Sequence, residues 1–554
     1  MREYDDLADT FAQMGGAPVD DEPPFDRDDN GERRPPLEVT NASVAAKQLR
    51  AKLGTGPTSG VFARAGELVF TPHINEAGYQ PLHLEDDHNH DSEVQIRAMT
   101  GIRLAAELDH RYDVFRFDKE GRAVPALAPL TVTTRLVAAP DNSPKVRPLT
   151  SVTRAPFVRP DWSICTKPGY DRATQVLYLP RGPQRITVSS RPSGHDLDQA
   201  VQLLMLMVGD FPWNSPDDRA NYLAAMIWPV IAQTHNEALP ALMINAHQPG
   251  SGKTLLGSIL THLYDGTMRS EWPTSKDEQE KDLAAIFAAN TGGIVLYDNI
   301  KGTLRSGVLE GLLTTRRTSF RRLGTNDERI PINNDRLIVF TGNNIGIAGD
   351  LSRRVVWASI DPQMPDPETR SGFSIPGDLG AWVVSNRHRV VGAILTLVSH
   401  WVAEGRPMTS SRTDSFASSI DTAQGILSAA GIPGTVGAAS AIPVAALDEQ
   451  DEWSGWLEAL HGVYGDNVFR AGELLAMLNR ARASEMNPME RHAWEQLPEE
   501  VAVRWDERSG MTSRSLGMFL KNRNGRYFGD FAVRLIQDQR NGNGYQISKY
   551  AGPQ

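Results

Sequence analysis

Residues 247–254 read His-Gln-Pro-Gly-Ser-Gly-Lys-Thr, with the apolar run ALMIN before them and LLGSILTHLY after. Glycines followed by a lysine and a hydroxyl residue suit a triphosphate. Pro249, Gly250, Ser251, Gly252, Lys253, Thr254 and Leu255 would form a nucleotide-binding loop. The glycines let the backbone approach phosphate oxygens. Free N–H groups and the dipole at a helix start favour an anion. Lys253 offers positive charge to the outer phosphates, and Thr254 offers its hydroxyl to Mg2+. His247 stands where the pattern G-x-x-x-x-G-K-[ST] has its first glycine. That glycine serves turn geometry rather than a phosphate contact, so its loss leaves the chemistry in place.

Further along, GIVLYDN is an apolar strand ending in Asp298. A carboxylate there stands at the carboxyl edge of a sheet, beside a magnesium ion. Thr254 and Asp298 are therefore the expected metal ligands. The next residue is Asn299, where many related sites have a glutamate. An amide orients water but cannot accept its proton, so either hydrolysis is slow or a carboxylate elsewhere is the base. RLIVFTGNN is another apolar strand with a polar end, and Asn343 and Asn344 stand where a γ-phosphate would be sensed. In GDLSRRVVWASI, Arg353 and Arg354 precede a last strand. An arginine there can reach a neighbouring subunit's nucleotide, Arg354 being preferred and a surface salt bridge being the alternative. Lys253, Asp298, Asn299, Asn343, Arg353 and Arg354 make up the expected catalytic set, with ATP and Mg2+ as cofactors.

For these residues to meet, short strands must alternate with helices. ALMIN, TLLGSILTHLY, DLAAIFAA, GIVLYD, RLIVFTG and VVWASI do alternate, which predicts an α/β fold with a parallel sheet buried on both faces. Residues 236–405 are the expected ATPase domain. Residues 196–235 read as two helices around FPWNSPDD, a helical collar. Residues 46–195 read as an N-terminal α/β module in which GVFARAGELVF, LTVTTRLV and QVLYLP are strands. HLEDDHNHD places His83, His88 and His90 among carboxylates, in a polar loop-like stretch rather than a metal framework. VVGAILTLVSHWVA is too short to span a bilayer, which takes about 20 apolar residues, and reads as a buried helix.

The 554 residues predict roughly three or four domains. Cys165 is the single cysteine, which excludes an intrachain disulfide and a Cys-rich zinc framework and fits a reducing cytoplasm. The opening MREYDDLADT is acidic and unlike a secretory signal, and no membrane association is expected. The net charge is −11, but residues 1–30 carry ten acidic and two basic side chains, leaving −3 for the rest. Local basic surfaces for DNA therefore remain open. Residues 1–45 are expected to be a disordered acidic tail, too poor in apolar area to offset chain entropy.

Taken in order, PGSGKT, LYDN, SFRRLG, FTGNN and GDLSRRVV resemble the primase-helicase proteins of phages and mobile elements. That family belongs with the poxvirus-type and superfamily 3 helicases of the AAA+ class. VRPDWSICTKPGYDRATQVLYLP resembles its N-terminal module, and DSFASSIDTAQGILSAAGIPG its lid, so the likeness spans about residues 60–550; residues 406–450 are the expected lid and linker. The resemblance implies a P-loop core with a five-stranded sheet, a β-hairpin before the sensor strand, and a hexameric ring moving along single-stranded DNA. SFRRLGTNDERIPINN supplies the hairpin, with Arg321, Arg322 and Arg329 flanking its turn and placed to grip DNA in a channel. An ordinary surface hairpin is the alternative. Longer family members carry a primase-polymerase domain. Nothing in the sequence offers the acidic metal site such a domain needs, and the space before residue 60 is too small for it, so priming activity is not expected; a separate primase is among the expected partners. The Asp298-Asn299 pair matches many of the resembling phage proteins.

Residues 451–554 read as three helices and then a hairpin around RNGNG, the order of a winged helix. MTSRSLGMFLKNR would be its recognition helix, capped by Thr512 or Ser513. Arg514, Lys521, Arg523 and Arg526 lie on or just after it, and Arg534, Arg540 and Lys549 lie on the wing. They could neutralise phosphates, although winged helices also bind proteins. The expected partners are single-stranded or forked DNA, further copies of the chain, and other replication proteins. Two alternatives stand beside a helicase: an ATP-binding origin-recognition or loader module with little hydrolysis, and another nucleic-acid motor on the same fold.

Overall fold

The computed structural model describes residues 34–64, 66–71, 74–75, 78–79, 96–139, 143, 145–180, 185–246, 249–289, 292–321, 329–343, 345–362, 364, 367–408, 416–438, 444–482, 487–506, 510–524, 527–528, 530–538 and 542–549. Those within 1–300, 306–343 and 353–440 form one compact unit. Those within 301–305, 344–352 and 441–554 form a second.

The first unit begins earlier than expected. Strand Pro36–Glu38 pairs in parallel with Asp113–Phe117, and helix Ala42–Lys52 follows. Asn41 caps that helix, accepting the N–H groups of Ser43 and Val44 at 3.0 Å. The segment expected to be a tail therefore holds ordered structure from residue 36, because Leu37, Ala45 and Leu49 bury into a core with Leu104 and Leu108. Residues 1–33, and with them most of the acidic charge, lie outside the described residues.

GVFARAGELVF is extended as expected and forms a hairpin, Val61–Arg64 against Glu67–Phe70, and QVLYLP contains strand Val176–Tyr178. LTVTTRLV is not a strand but helix Leu130–Ala138. Its β-branched residues favour a strand by propensity, but Pro129 sits at the N-cap and Val132, Thr133 and Leu136 bury one helical face. The Thr133 hydroxyl donates back to the Leu130 carbonyl at 3.1 Å, as threonine does inside helices. His83, His88 and His90 lie outside the described residues. Among the described residues no group of three or more metal-ligating side chains occurs.

Two helices lead into the core: α1 (Gly194–Val208), with a capping box from Ser193 and Asp196, and α2 (Pro216–Ile231), capped by Ser215 with proline in its first turn. Then come β1 (Ala241–Ala246), α3 (Lys253–Tyr264), β2 (Thr267–Arg269), α4 (Lys276–Ala289) and β3 (Ile294–Ile300). The hairpin β4 (Arg317–Arg321) and β5 (Arg329–Asn333) follows, then β6 (Leu337–Asn343), β7 (Val355–Ile360), α5 (Leu379–Ala403) and α6 (Ala417–Ala429). The five-stranded sheet has the order β2-β3-β6-β1-β7 and every pairing is parallel. All residues of β1 and β7 are buried, as expected for strands covered on both faces.

Buried polar groups join the layers. Asp218 on α2 accepts the Ser359 N–H at 2.7 Å, and Asn221 donates to the Trp357 carbonyl at 2.8 Å, fixing α2 to β7. Arg64 and Arg336 donate to the carbonyls of Phe287 and Ile286 at 2.9 and 2.8 Å. Two guanidinium groups thus satisfy the last turn of α4, where positive charge is favoured. Arg387 on α5 bonds the carbonyls of His262 and Arg154 and pairs with Asp265 at 3.3 Å, joining α5, α3 and the N-terminal layer. α5 is the buried helix expected from VVGAILTLVSHWVA. Among the described residues no helix is long and apolar enough to cross a membrane.

In the second unit, Thr303–Leu304 pairs in parallel with Gly346–Ile347, which packs on α7 (Val444–Tyr464). α7 runs across the boundary expected near residue 450. Strand Phe469–Arg470 and helix Ala471–Arg482 follow, then helices Pro488–Glu495 and Glu499–Asp506, α8 (Ser513–Asn522), strand Tyr527–Phe528, and the hairpin β8 (Phe531–Asp538) and β9 (Gly542–Lys549). Helices followed by a hairpin appear in the expected order, with helices 488–495 and 499–506 added to the three expected. Thr512 is the cap of α8, its hydroxyl accepting the Ser515 N–H at 3.1 Å. Trp453, Trp456, Leu474, Leu516 and Ile547 fill the core.

Candidate functional site

β1 ends at Ala246 and α3 begins at Lys253. Between them Gly250 has φ +69° and Gly252 has φ +100°, backbone that favours glycine. A Cβ on Gly250 would lie 2.5 Å from the Glu368 Cγ, and one on Gly252 would lie 3.1 Å from the Phe211 ring. Gly252 is the N-cap of α3 and brings no capping side chain, so the first N–H groups of α3 keep no cap from that position. Pro249 and Gly250 are exposed, Ser251 is buried and Leu255 is half-buried. His247 lies outside the described residues.

Lys253 is buried at the start of α3. Burial pushes its ammonium pKa down, and the nearby Asp298 carboxylate opposes this. The exposed Thr254 donates its hydroxyl to Asp298 Oδ1 at 3.0 Å. Asp298 comes from the carboxyl end of β3, as the sequence predicts. One carboxylate and one hydroxyl, adjacent at a helix start, match a magnesium site that takes its other ligands from phosphate and water. The donor set and the glycine cradle both fit Mg2+ and a triphosphate.

Two features of the site were not legible in the motif. Thr341, on β6, donates its hydroxyl to Asp298 and accepts the Asn299 N–H, the latter at 3.0 Å. It lies two residues before Asn343, so strand periodicity would have placed both on one face. Asn299 has φ +60° and sits where the register between β3 and β6 shifts, between Tyr297 and Ile300. Asparagine is among the few residue types that enter left-handed backbone at low cost. The residue that replaces glutamate is therefore one this bulge accommodates.

Asn343 stands opposite Ala246 in the register, beside the mouth of the phosphate loop. Its side-chain oxygen is buried and has no hydrogen-bond partner among the described residues. A buried acceptor without a partner is ready for a donor such as a water O–H. Asn344 lies outside the described residues.

Arg353 and Arg354 precede β7, and Val355 pairs with Ala241 at the start of β1. The phosphate loop follows the other end of β1, six strand residues or about 20 Å away. Arg353 and Arg354 are thus at the opposite edge of the sheet from Lys253. Arg354, the expected preference, is 8% exposed, whereas Arg353 is exposed. A residue that reaches a neighbouring molecule must be accessible.

The hairpin β4–β5 forms as expected, with Arg321 opposite Arg329 at its outer end. Its root joins β6 at the same edge as Arg353. Arg322 lies outside the described residues. In the second unit, Arg514 and Lys521 are exposed on one face of α8, with exposed Met518 between them. Arg523 is not on that face. It is buried, pairs with Glu500, and stacks on Trp453 with its guanidinium 3.9 Å from the ring centroid. Arg523 follows the last turn of α8, where the chain turns inward. It is a core contact and not a DNA ligand. Arg534 and Lys549 are exposed on the hairpin β8–β9, while Arg526 and Arg540 lie outside the described residues.

Beside the phosphate loop lies a cavity of about 310 Å3, bounded by the end of α1, by Gly250–Leu255 and by the segment from Pro367 to Leu379. The sequence gives no motif for it, because its walls come from three distant stretches.

No protein-family model and no curated protein matches the chain. Among solved structures, the apo NrS-1 C-terminal region is similar over 89% of this chain and 97% of that one, at 11% identity and TM-score 0.34. A second form of the NrS-1 C-terminal region covers 76% of this chain and 90% of its own, at 12% identity and TM-score 0.30. JCV helicase bound to a thiazolopyridine compound covers 43% of this chain and 67% of its own, at 18% identity and TM-score 0.21.

Proposed function

We propose that this chain is an ATP-dependent DNA helicase, working as a hexameric ring on single-stranded DNA in the replication of a phage or mobile element. The observation that carries this reading is the gathering of Lys253, Thr254, Asp298 and Asn343 at one edge of the parallel sheet. Exposed Arg353 and the arginine-flanked hairpin stand at the other edge. One edge suits a nucleotide, and the other suits a neighbour and a strand.

In this reading the N–H groups at the start of α3 and the Lys253 ammonium hold the phosphates. Thr254 and Asp298 would hold Mg2+, and the Thr341 hydroxyl fixes the direction of the Asp298 carboxylate. Bound Mg2+ would offset negative charge as it develops on the transferring phosphate. Asn343 hydrogen-bonds the γ-phosphate or its attacking water. Arg353 completes the site of the adjacent subunit. Turnover moves the hairpin carrying Arg321 and Arg329 along the DNA backbone. Arg514 and Lys521 give a second basic face for forked DNA, and a separate primase and other replication proteins would be partners in the cytoplasm.

The test is steady-state ATP turnover by the full chain, with and without single-stranded DNA, beside Lys253→Ala, followed by strand displacement on a fork. Turnover that rises with DNA and is lost in the variant supports a motor. Unwinding that survives Lys253→Ala ends this account of the site. Asn299 motivates a second reading, an ATP-binding loader or origin-recognition module with little hydrolysis. Tight ATP binding with no turnover would select it.

A further inference from the structure

The phosphate loop serves the charged end of a nucleotide and says nothing of its base. The adjoining cavity of about 310 Å3 is near the lower size of small-molecule pockets, roughly 300 Å3. It has room for one nucleoside. Its apolar wall includes Met207, Phe211, Leu255, Phe373 and Ile375. Phe373 is 47% exposed, although it belongs to the pocket wall. Arg370 lies over one face of this ring, and the exposed remainder of an aromatic ring beside a cavity is a stacking surface for a planar ring.

Phe373 is held in place. Asp210 accepts the Ser374 N–H at 2.6 Å and the Ser374 hydroxyl at 3.0 Å. Arg370 donates to the Asp210 carbonyl and lies over the Phe373 ring, 5.4 Å from its centroid. The end of α1 is thereby stapled to the segment that carries Phe373. These bonds commit two carboxylates of the wall, Asp210 and Asp378. Both Asp210 oxygens serve Ser374, and Asp378 caps α5 by accepting the Gly380 N–H at 2.8 Å. Glu368 turns to the phosphate-loop end, against Gly250.

We propose that this cavity is the base subsite and that it takes purine nucleoside triphosphates by stacking and shape, so that GTP serves as well as ATP. The proposal rests on the nucleotide-site reading above. A pocket built to hydrogen-bond one base rejects an analogue lacking those groups by about 10⁴-fold. A stacking pocket separates large rings from small ones and little else.

The experiment is competition against a fluorescent ATP analogue on the full chain with Mg2+, using ATP, GTP, CTP and tripolyphosphate. ATP and GTP bind within about threefold of one another, and CTP binds about tenfold more weakly. Phe373→Ala weakens ATP and GTP together by about tenfold and leaves tripolyphosphate unchanged. Phe373 is exposed enough for this variant to fold, and an unchanged melting temperature checks it. A preference for ATP over GTP of about 100-fold or more overturns the proposal, as backbone groups of the Pro367–Leu379 segment would then be reading the base. An equal loss of tripolyphosphate in Phe373→Ala also overturns it. If instead Lys253→Ala leaves ATP and tripolyphosphate binding intact, the phosphate-loop reading itself fails, and the subsite fails with it.

Discussion

The Thr341 hydroxyl donates to the Asp298 carboxylate while its oxygen accepts the Asn299 N–H at 3.0 Å. One buried hydroxyl therefore sets both the direction of a metal ligand and the backbone of its neighbour. Thr341→Val keeps the shape and removes both bonds. We expect the Mg2+ concentration for half-maximal turnover to rise by about 10- to 100-fold, the usual effect of losing a group that orients a ligand. The Asn299 N–H loses its acceptor as well, and because Asn299 is exposed the cost is about 1 kcal/mol of stability. A Mg2+ titration beside thermal melts separates the two effects.

Asn299 has a backbone requirement as well as a chemical one. At φ +60° an alanine costs about 1 kcal/mol or more and a glycine does not. Asn299→Ala should therefore melt below Asn299→Gly. Both variants lack the amide, so a shared loss of turnover reports its role in placing water. Asn299→Glu offers a base at the price of strain and should not raise turnover. A large gain would show that the left-handed bulge adapts.

His235 is buried, with Nδ1 2.8 Å from the Ser418 hydroxyl, and burial beside Arg316 pulls its pKa from 6.5 to about 4. The unfolded chain thus binds a proton that the folded chain refuses between those values. Stability from the neutral ring is fully present above pH 6.5 and is lost as pH falls toward 4. The gap corresponds to about 3 kcal/mol at most. Urea midpoints across that window should fall for the native chain and fall less for His235→Gln.

Arg523 and Arg514 should part company. Arg523→Ala removes the partner of Glu500 and the cation over Trp453, costing about 3 kcal/mol in the second unit. Arg514→Ala and Lys521→Ala leave stability nearly unchanged. If α8 meets DNA, each lowers the slope of log affinity against log salt by about one. Melting curves and salt titrations on forked DNA check both. Stable Arg523→Ala protein with a reduced salt slope would return Arg523 to the DNA-binding surface.

The core was legible because its signals are local. A buried parallel strand is a continuous apolar run, and glycine before lysine marks a helix start. ALMIN, GIVLYDN and RLIVFTGNN all became strands of one sheet. The helix at Leu130–Ala138 was not legible, since its threonines and valines carry strand propensity and its packing against Gly101–Arg111 is tertiary. Charge on a sequence says nothing of which way a side chain turns, so Arg523 looked like Arg514. The walls of the base cavity were hidden for a different reason. Phe211, Leu255 and Phe373 meet only after the sheet and α5 are built.

The strands carrying Asp298 and Asn343 run on into residues 301–305 and 344–352, which belong to the second unit. A fragment beginning at Ala441 would lack the pair Thr303–Leu304 and Gly346–Ile347, and the face of α7 that Gly346–Ile347 covers would be left bare. Folding of the second unit therefore waits on segments separated from residue 441 by the 88 residues 353–440 or more, a high-contact-order closure that slows assembly. It also leaves no single cut that separates the two units cleanly. Protease nicking after residue 440 should release a C-terminal piece that is less stable alone than it is within the intact chain.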